Sequence, residues 1–252
     1  MKIFDLTGQR AIVVGGAGDI GLAILEGLLE AGASAVAIDI SPKVKTICAS
    51  LKDKGYATHG LVVDVRDRSQ IKQSVVDAEK ILCGNVDILV NAAGIQRRSP
   101  SEDFSEEDWD EVLSVNLTSA FIFSQQVAKG MIAKKRGKII HVSSINGRFG
   151  GITIPAYAAS KGGLSNLTKA LSNDWAAKGI CVNAIAPGYI DTQLNTALIS
   201  DEKRSAEVLL RTPVKRWGVP ADLKGVVIFL ASSASDYITG AVIPVDGGYS
   251  AR

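Results

Sequence analysis

The chain has 252 residues, 46% of them hydrophobic and 21% charged, with a formal net charge of +2. That is enough apolar material for a sizeable core, and the interspersed charges form no basic stripe of the kind that tracks nucleic acid. No apolar run approaches the roughly 18 residues needed to span a bilayer, so no membrane partner is expected.

Residues 1–8 lack a basic stretch followed by a long apolar run, so no secretory leader is expected. Periodicity then predicts short β-rich runs at 10–14, 35–39, 58–63, 87–90, 138–142, 181–186 and 241–245. Between them lie segments with apolar residues at three- and four-residue spacing, such as 20–30 and 71–82. Nearly continuous Val/Ile/Ala runs suit strands covered by helices on both faces. Strand alternating with helix implies βαβ units. One domain is expected over 1–252, an α/β Rossmann-type doubly wound sheet of about seven parallel strands. Ser105 with Asp108 resembles a capping box ahead of Trp109, and Pro220 suits the first turn of a helix towards Leu230.

Cys48, Cys83 and Cys181 are scattered, with no Cys-x-x-Cys pair, and read as reduced thiols in a cytoplasmic protein. The histidines, His59 and His141, make no metal-binding cluster, so no metal is expected. A serine hydrolase would need a G-x-S-x-G turn, which is absent. Acid–base chemistry is left to Tyr, Lys, Asp or Glu.

After the first strand comes Val14-Gly15-Gly16-Ala17-Gly18-Asp19-Ile20-Gly21, leading into a helical pattern. Gly16, Gly18 and Gly21 fit G-x-G-x-x-G between strand and helix, where backbone N–H groups and the helix dipole can receive a pyrophosphate. Asp39 ends the second strand where an acidic residue would bind the adenosine ribose and repel a 2′-phosphate. With no arginine beside it, NAD(H) is expected in preference to NADP(H).

Further landmarks follow in order: Asn91-Ala92-Ala93-Gly94, Asn116, Ser144, Tyr157-Ala158-Ala159-Ser160-Lys161, Pro187-Gly188 and Asp246-Gly247-Gly248. On these residues the whole chain resembles the short-chain dehydrogenase/reductase family. Two positions depart from the family pattern, Val14 where threonine is usual and Asp19 where glycine is common. Asp19 is expected either to weaken cofactor binding or to cap the following helix.

Tyr157 and Lys161 are four residues apart and share one face of a helix. An ammonium beside a phenol should lower its pKa from about 10 and suit it to acid–base work. The resemblance implies that Ser144 orients the substrate oxygen, that Asn116 supports a proton relay through water, and that Lys161 also holds the nicotinamide ribose. It also implies cofactor contacts at Gly15, Gly18, Asp19, Ile20, Gly21, Asp39, Asp64, Val65, Asn91, Ala92, Gly94, Tyr157, Lys161, Pro187, Gly188, Ile190 and Thr192. A homotetramer is implied as well.

Gln96, Arg97 and Arg98 follow the fourth strand, at the end of the sheet where ligands bind. Paired arginines suit a carboxylate, so Gln96, Arg97 and Arg98, with Ser144 and Tyr157, are the expected substrate contacts. This stretch, and later ones at Gly150-Gly151-Ile152 to Tyr157, Arg204-Ser205-Ala206-Glu207, Arg216-Trp217-Gly218 and Ala231 to Tyr237, resemble the sugar-acid members of the family, the 2-deoxy-D-gluconate 3-dehydrogenases and gluconate 5-dehydrogenases. The expected substrate is an aldonate or deoxy-keto-aldonate. The resemblance implies that the segment from 190 to 211 is a mobile loop that closes over the bound substrate and cofactor. Trp217 is read as either a pocket wall or a core residue. Two alternatives stay open: a 3-oxoacyl carrier-protein reductase, which Asp39 and the near-neutral charge argue against, and a non-catalytic NAD-binding scaffold.

Overall fold

In β1 (Arg10–Val14), Ala11 and Val13 enter one apolar core while Ile12 and Val14 enter another. The same split holds in β2 (Ser34–Asp39), where Ala35 and Ala37 oppose Val36 and Ile38. A strand whose side chains must fill both faces has no polar face to show, which is why these runs read as continuous apolar stretches. In the computed structural model, which describes residues 2–251, β3 (Thr58–Val62), β4 (Ile88–Asn91), β5 (Gly137–Val142), β6 (Ile180–Pro187) and β7 (Val242–Val245) complete one parallel sheet. The expected doubly wound architecture is the one observed, and the strand ends differ from expectation by one residue or so. Asp87 stands at the entry to β4, its carboxylate accepting from the Arg10 backbone N–H and the Lys134 ammonium.

The helices are α1 (Asp19–Glu30), α2 (Lys43–Asp53), α3 (Arg68–Ile81), α4 (Glu106–Leu113), α5 (Ser119–Ala133), α6 (Asn146–Phe149), α7 (Pro155–Trp175), α8 (Thr196–Ile199), α9 (Glu202–Arg211) and α10 (Lys224–Ala231). Helices α1, α2 and α10 cover one face, and α3 and α5 cover the other. Ser105 caps α4, its Oγ accepting from the Asp108 N–H at 3.1 Å, but the Asp108 carboxylate turns to Arg97 instead of closing the box. Pro220 opens a 3-10 turn, Pro220–Leu223, and α10 follows it.

The sheet order is β3-β2-β1-β4-β5-β6-β7. Connections run outward in opposite senses from the β1/β4 pair, so the loops after those strands part and leave a crevice at the carboxyl ends. The phosphate-loop sequence and the Asn91–Gly94 stretch face each other there. Among the described residues no helix is long and apolar enough to cross a membrane, and no cluster of His, Cys, Asp and Glu could hold a metal ion.

Candidate active site

The turn after β1 needs glycine for two different reasons. Gly15 has φ +82°, and a Cβ on it would stand 2.6 Å from the Ala93 backbone nitrogen. Packing and backbone conformation therefore both demand glycine. At Gly18 the nearest atom to such a Cβ is 3.5 Å away, and the space it would occupy opens into the crevice. Gly18 leaves room for a ligand at the start of α1, whose first turn has free N–H groups. Gly16 and Gly21 serve packing, against Ala37 and the Gly15 carbonyl.

Asp39 Oδ2 accepts from the Ala17 N–H at 3.0 Å and Oδ1 from the Ser41 N–H at 2.9 Å. Each oxygen keeps lone-pair capacity for a ribose hydroxyl. A cleft of about 400 Å³ joins Gly15, Gly18, Asp19, Ile20, Gly21 and Asp39 to Ala92, Gly94, Lys161, Pro187, Gly188, Ile190 and Thr192. A neighbouring recess of about 320 Å³ carries Asp64 and Val65. This phosphate cradle, with a carboxylate at the ribose position and an apolar recess beyond, fits a dinucleotide. Asn91 is the exception: its side chain is buried behind the loop, donating to Ser124 Oγ at 3.4 Å, and lines none of this space.

Tyr157 and Lys161 lie on α7, with the Lys161 ammonium 5.7 Å from the centre of the tyrosine ring. The Ser144 hydroxyl accompanies the Tyr157 phenol in lining both the cleft and a second cavity beside it. Lys161 Nζ donates to the Val142 carbonyl at 2.7 Å. Burial lowers the Lys161 pKa to about 8. Burial also raises the Tyr157 phenol above its ordinary value, with the Ser144 hydroxyl opposing. This corrects the expectation of a depressed tyrosine: loss of water disfavours the phenolate more than its surroundings restore it.

Asn116 sits in a π-helical turn, Ser114–Thr118, between α4 and α5. Its side chain accepts from the Ile95 N–H and donates to the Ile95 carbonyl and to Ser160 Oγ, at 2.8, 3.0 and 3.0 Å. These three bonds hold the loop after β4 against α7, and the side chain itself makes no hydrogen bond to Tyr157 or Lys161.

A second cavity, about 710 Å³, opens beside the cleft and shares Ser144, Tyr157, Gly188, Leu194 and Asn195 with it. Gln96 and Arg98 line it; Arg97 does not. Arg97 turns away to Glu111 Oε2 at 2.6 Å and Asp108 Oδ1 at 3.2 Å on α4, so it is corrected from substrate ligand to loop anchor. Asp19 does not cap α1, since Gly18 holds that position. Its carboxylate instead accepts from the Gln193 N–H at 2.8 Å. Trp217 is neither wall nor core: half-buried, it packs edge-on behind Tyr189 at 5.7 Å and donates to Ser205 Oγ at 3.0 Å.

Several cavity residues carry no motif. Tyr189, Arg211 and Tyr249 form one wall, with the Arg211 guanidinium 4.3 Å above the Tyr249 ring. Lys43 and Ser41 reach the cleft beside Asp39. Among the other cavity residues, the Gly150–Tyr157 and Arg204–Glu207 stretches carried a signal, one of resemblance.

Comparison with known proteins agrees with this geometry. Residues 15–250 match the family described as Enoyl-(Acyl carrier protein) reductase. The chain is 45% identical over 258 residues to a 2-dehydro-3-deoxy-D-gluconate 5-dehydrogenase of Pseudoalteromonas atlantica, covering 100% of both chains. It is 44% identical over 253 residues to the Escherichia coli K12 protein of the same name, covering 100% of this chain and 99% of that one. Among solved structures, a gluconate 5-dehydrogenase from Burkholderia cenocepacia in complex with NADP and tartrate superposes with a TM-score of 0.95 at 42% identity, covering 99% of this chain and 98% of that one.

Proposed function

The chain belongs to the short-chain dehydrogenase/reductase family of nicotinamide-dependent oxidoreductases, and on that premise we propose that it interconverts a secondary hydroxyl and a ketone on a sugar acid, a 2-dehydro-3-deoxy-gluconate or a gluconate, at C5. One observation carries the reading: Ser144 and Tyr157 line both the dinucleotide cleft and the arginine-bearing cavity, so the reacting carbon and the cofactor meet at the acid–base pair. Relatives named for C5 chemistry on these acids, matching end to end, support the substrate class and the position.

The nicotinamide, when bound, accepts or supplies the hydride. Ser144 donates to the substrate oxygen, and Tyr157 gives or takes its proton. At neutral pH Lys161, protonated below its pKa of about 8, stabilises the phenolate formed when Tyr157 gives its proton to the substrate oxygen. Asn116 keeps the Ile95 loop and α7 in register, which holds Gln96 and Arg98 towards the cavity. Arg98 receives the substrate carboxylate.

NAD is the preferred cofactor in this reading, because the Asp39 carboxylate would repel a 2′-phosphate across the ribose site. NADP bound to the Burkholderia relative, and Lys43 beside Asp39 in the cleft, favour a second reading in which both cofactors serve. The protein works as a cytoplasmic homotetramer in the proposed reading; family resemblance supports this, and light scattering on the purified protein checks it.

Rates with NAD and NADP should be measured on 2-dehydro-3-deoxy-D-gluconate, D-gluconate, 2-deoxy-D-gluconate, the keto forms of the last two, neutral polyols and an acetoacetyl thioester. Turnover of a sugar acid at a kcat/KM at least about tenfold higher with NAD is the expected result. Equal rates with NADP establish the second reading. Turnover of the thioester alone overturns the substrate class.

A further inference from the structure

Arg98 and its neighbour Arg97 differ in what they find. Arg97 is neutralised by two carboxylates. Arg98 has no ion pair among the described residues and makes one long hydrogen bond, Nη1 to Thr153 Oγ1 at 3.4 Å. The same cavity is lined by Arg204, in the first turn of α9. Its backbone N–H is held by Asp201 Oδ1 at 3.1 Å, while its guanidinium has no acidic partner among the described residues. Burial and the positive field of Arg204 together hold the Arg98 pKa below the usual arginine value. Both arginines line the same cavity.

Glu207 is the one carboxylate among the residues lining this cavity, against Arg98, Arg204 and Arg211. Arg211 is stacked between the rings of Phe149 and Tyr249, at 5.6 and 4.3 Å. Two cations left in one cavity raise the energy of the free protein, and an anion between them removes that cost.

We propose that Arg98 and Arg204 are the two arms of one carboxylate receptor, the first on the core loop after β4 and the second on α9, so that the acid group of the substrate pins α9 over the site. The inference rests on the sugar-acid reading above and adds to it a second, distant ligand and a consequence for closure. A neutral polyol enters the same cavity but leaves α9 unpinned. The carboxylate then affects kcat as well as KM, because an unpinned helix admits water to the reacting centre.

α9 carries its own reporter. Ser205, next to Arg204, accepts the indole N–H of Trp217, which packs on the cavity residue Tyr189. Binding of D-gluconate to the NAD-loaded enzyme should therefore change Trp217 fluorescence, with Trp217→Phe as the blank for Trp109 and Trp175.

The decisive experiment compares wild type, Arg98→Gln, Arg204→Gln and Arg204→Lys in steady-state kinetics and in this titration. Arg204→Gln should raise KM for the sugar acid about tenfold or more, lower kcat, abolish the fluorescence change, and leave a neutral polyol unaffected. Arg204→Lys should restore part of the binding. Unchanged sugar-acid kinetics in Arg204→Gln overturn the receptor, as does an equal loss on acids and polyols. If wild type turns over no sugar acid, the functional reading falls, and the gluconate titration still decides the receptor by whether its signal depends on Arg204.

Discussion

The Asp19 carboxylate accepts a hydrogen bond from the Gln193 backbone N–H at 2.8 Å, joining the first residue of α1 to a segment 174 residues further along the chain. This acid where the family often has glycine is thus a tie between the phosphate loop and the segment that carries α8 and α9. It also sets a negative charge beside the place a pyrophosphate would take. Asp19→Asn keeps an acceptor and removes the charge, so it should bind NADH about two- to fivefold more tightly at low salt. Asp19→Ala loses the tie as well, and amide exchange across residues 193–199 should quicken. Calorimetry and hydrogen exchange check the pair; unaltered exchange in Asp19→Ala would dismiss the tie.

The protonation of the catalytic pair sets the direction in which each reaction responds to pH. Burial raises the Tyr157 phenol, so at neutral pH it holds its proton and is ready to give it to a ketone. Ketone reduction should run on a plateau at neutral pH and fall in alkali, first as Lys161 loses its proton near pH 8 and then as the phenol ionises. Alcohol oxidation, which needs the phenolate, should climb with pH over the same range. Tyr157→Phe should lower both directions by about 10²–10⁴ and flatten both profiles. An oxidation rate already maximal at pH 6 would contradict a raised tyrosine.

The glycines of the phosphate loop separate folding from binding. Gly15→Ala forces a Cβ to 2.6 Å from the Ala93 nitrogen at φ +82°, so thermal unfolding should come several degrees earlier. Gly18→Ala meets nothing nearer than 3.5 Å. That variant should keep its melting temperature and lose cofactor affinity about tenfold or more. Thermal melts beside NADH titrations distinguish them; matching behaviour would mean the cradle does not face the cofactor.

His141 in β5 is fully buried, its Nε2 3.1 Å from Ser124 Oγ and its Nδ1 2.9 Å from Thr168 Oγ1. Burial, with the Lys161 charge adding, lowers its pKa from 6.5 to about 3. Below pH 6.5 the unfolded chain takes up a proton that the folded protein refuses, so stability is lost as pH falls. The His141 share of that slope is about 1.4 kcal/mol per pH unit. Urea unfolding of His141→Gln between pH 6 and 4.5 should show a shallower pH dependence than wild type, whatever its absolute stability. Parallel slopes would place the acid sensitivity elsewhere.

The sequence alone determined what depends on near neighbours. Apolar runs filling two cores fixed the parallel sheet. The turn at Gly15–Gly21 and the acid closing β2 marked a dinucleotide cleft, and a four-residue helical spacing put Tyr157 beside Lys161. Each is a short-range steric or periodic requirement and survives translation into one dimension. Only the tertiary structure decided which of two adjacent arginines lines the cavity, because Glu111 and Asp108 on α4 claim Arg97 while Arg98 has no carboxylate partner among the described residues. It likewise brought Arg204 to the same cavity as Arg98, sent the Asn116 side chain to the Ile95 loop, and gave Asp19 its distant partner. The Tyr157 pKa belongs with these, since burial sets its direction and depends on every element packed around α7. Charge and solvation act through space, between residues the chain leaves far apart.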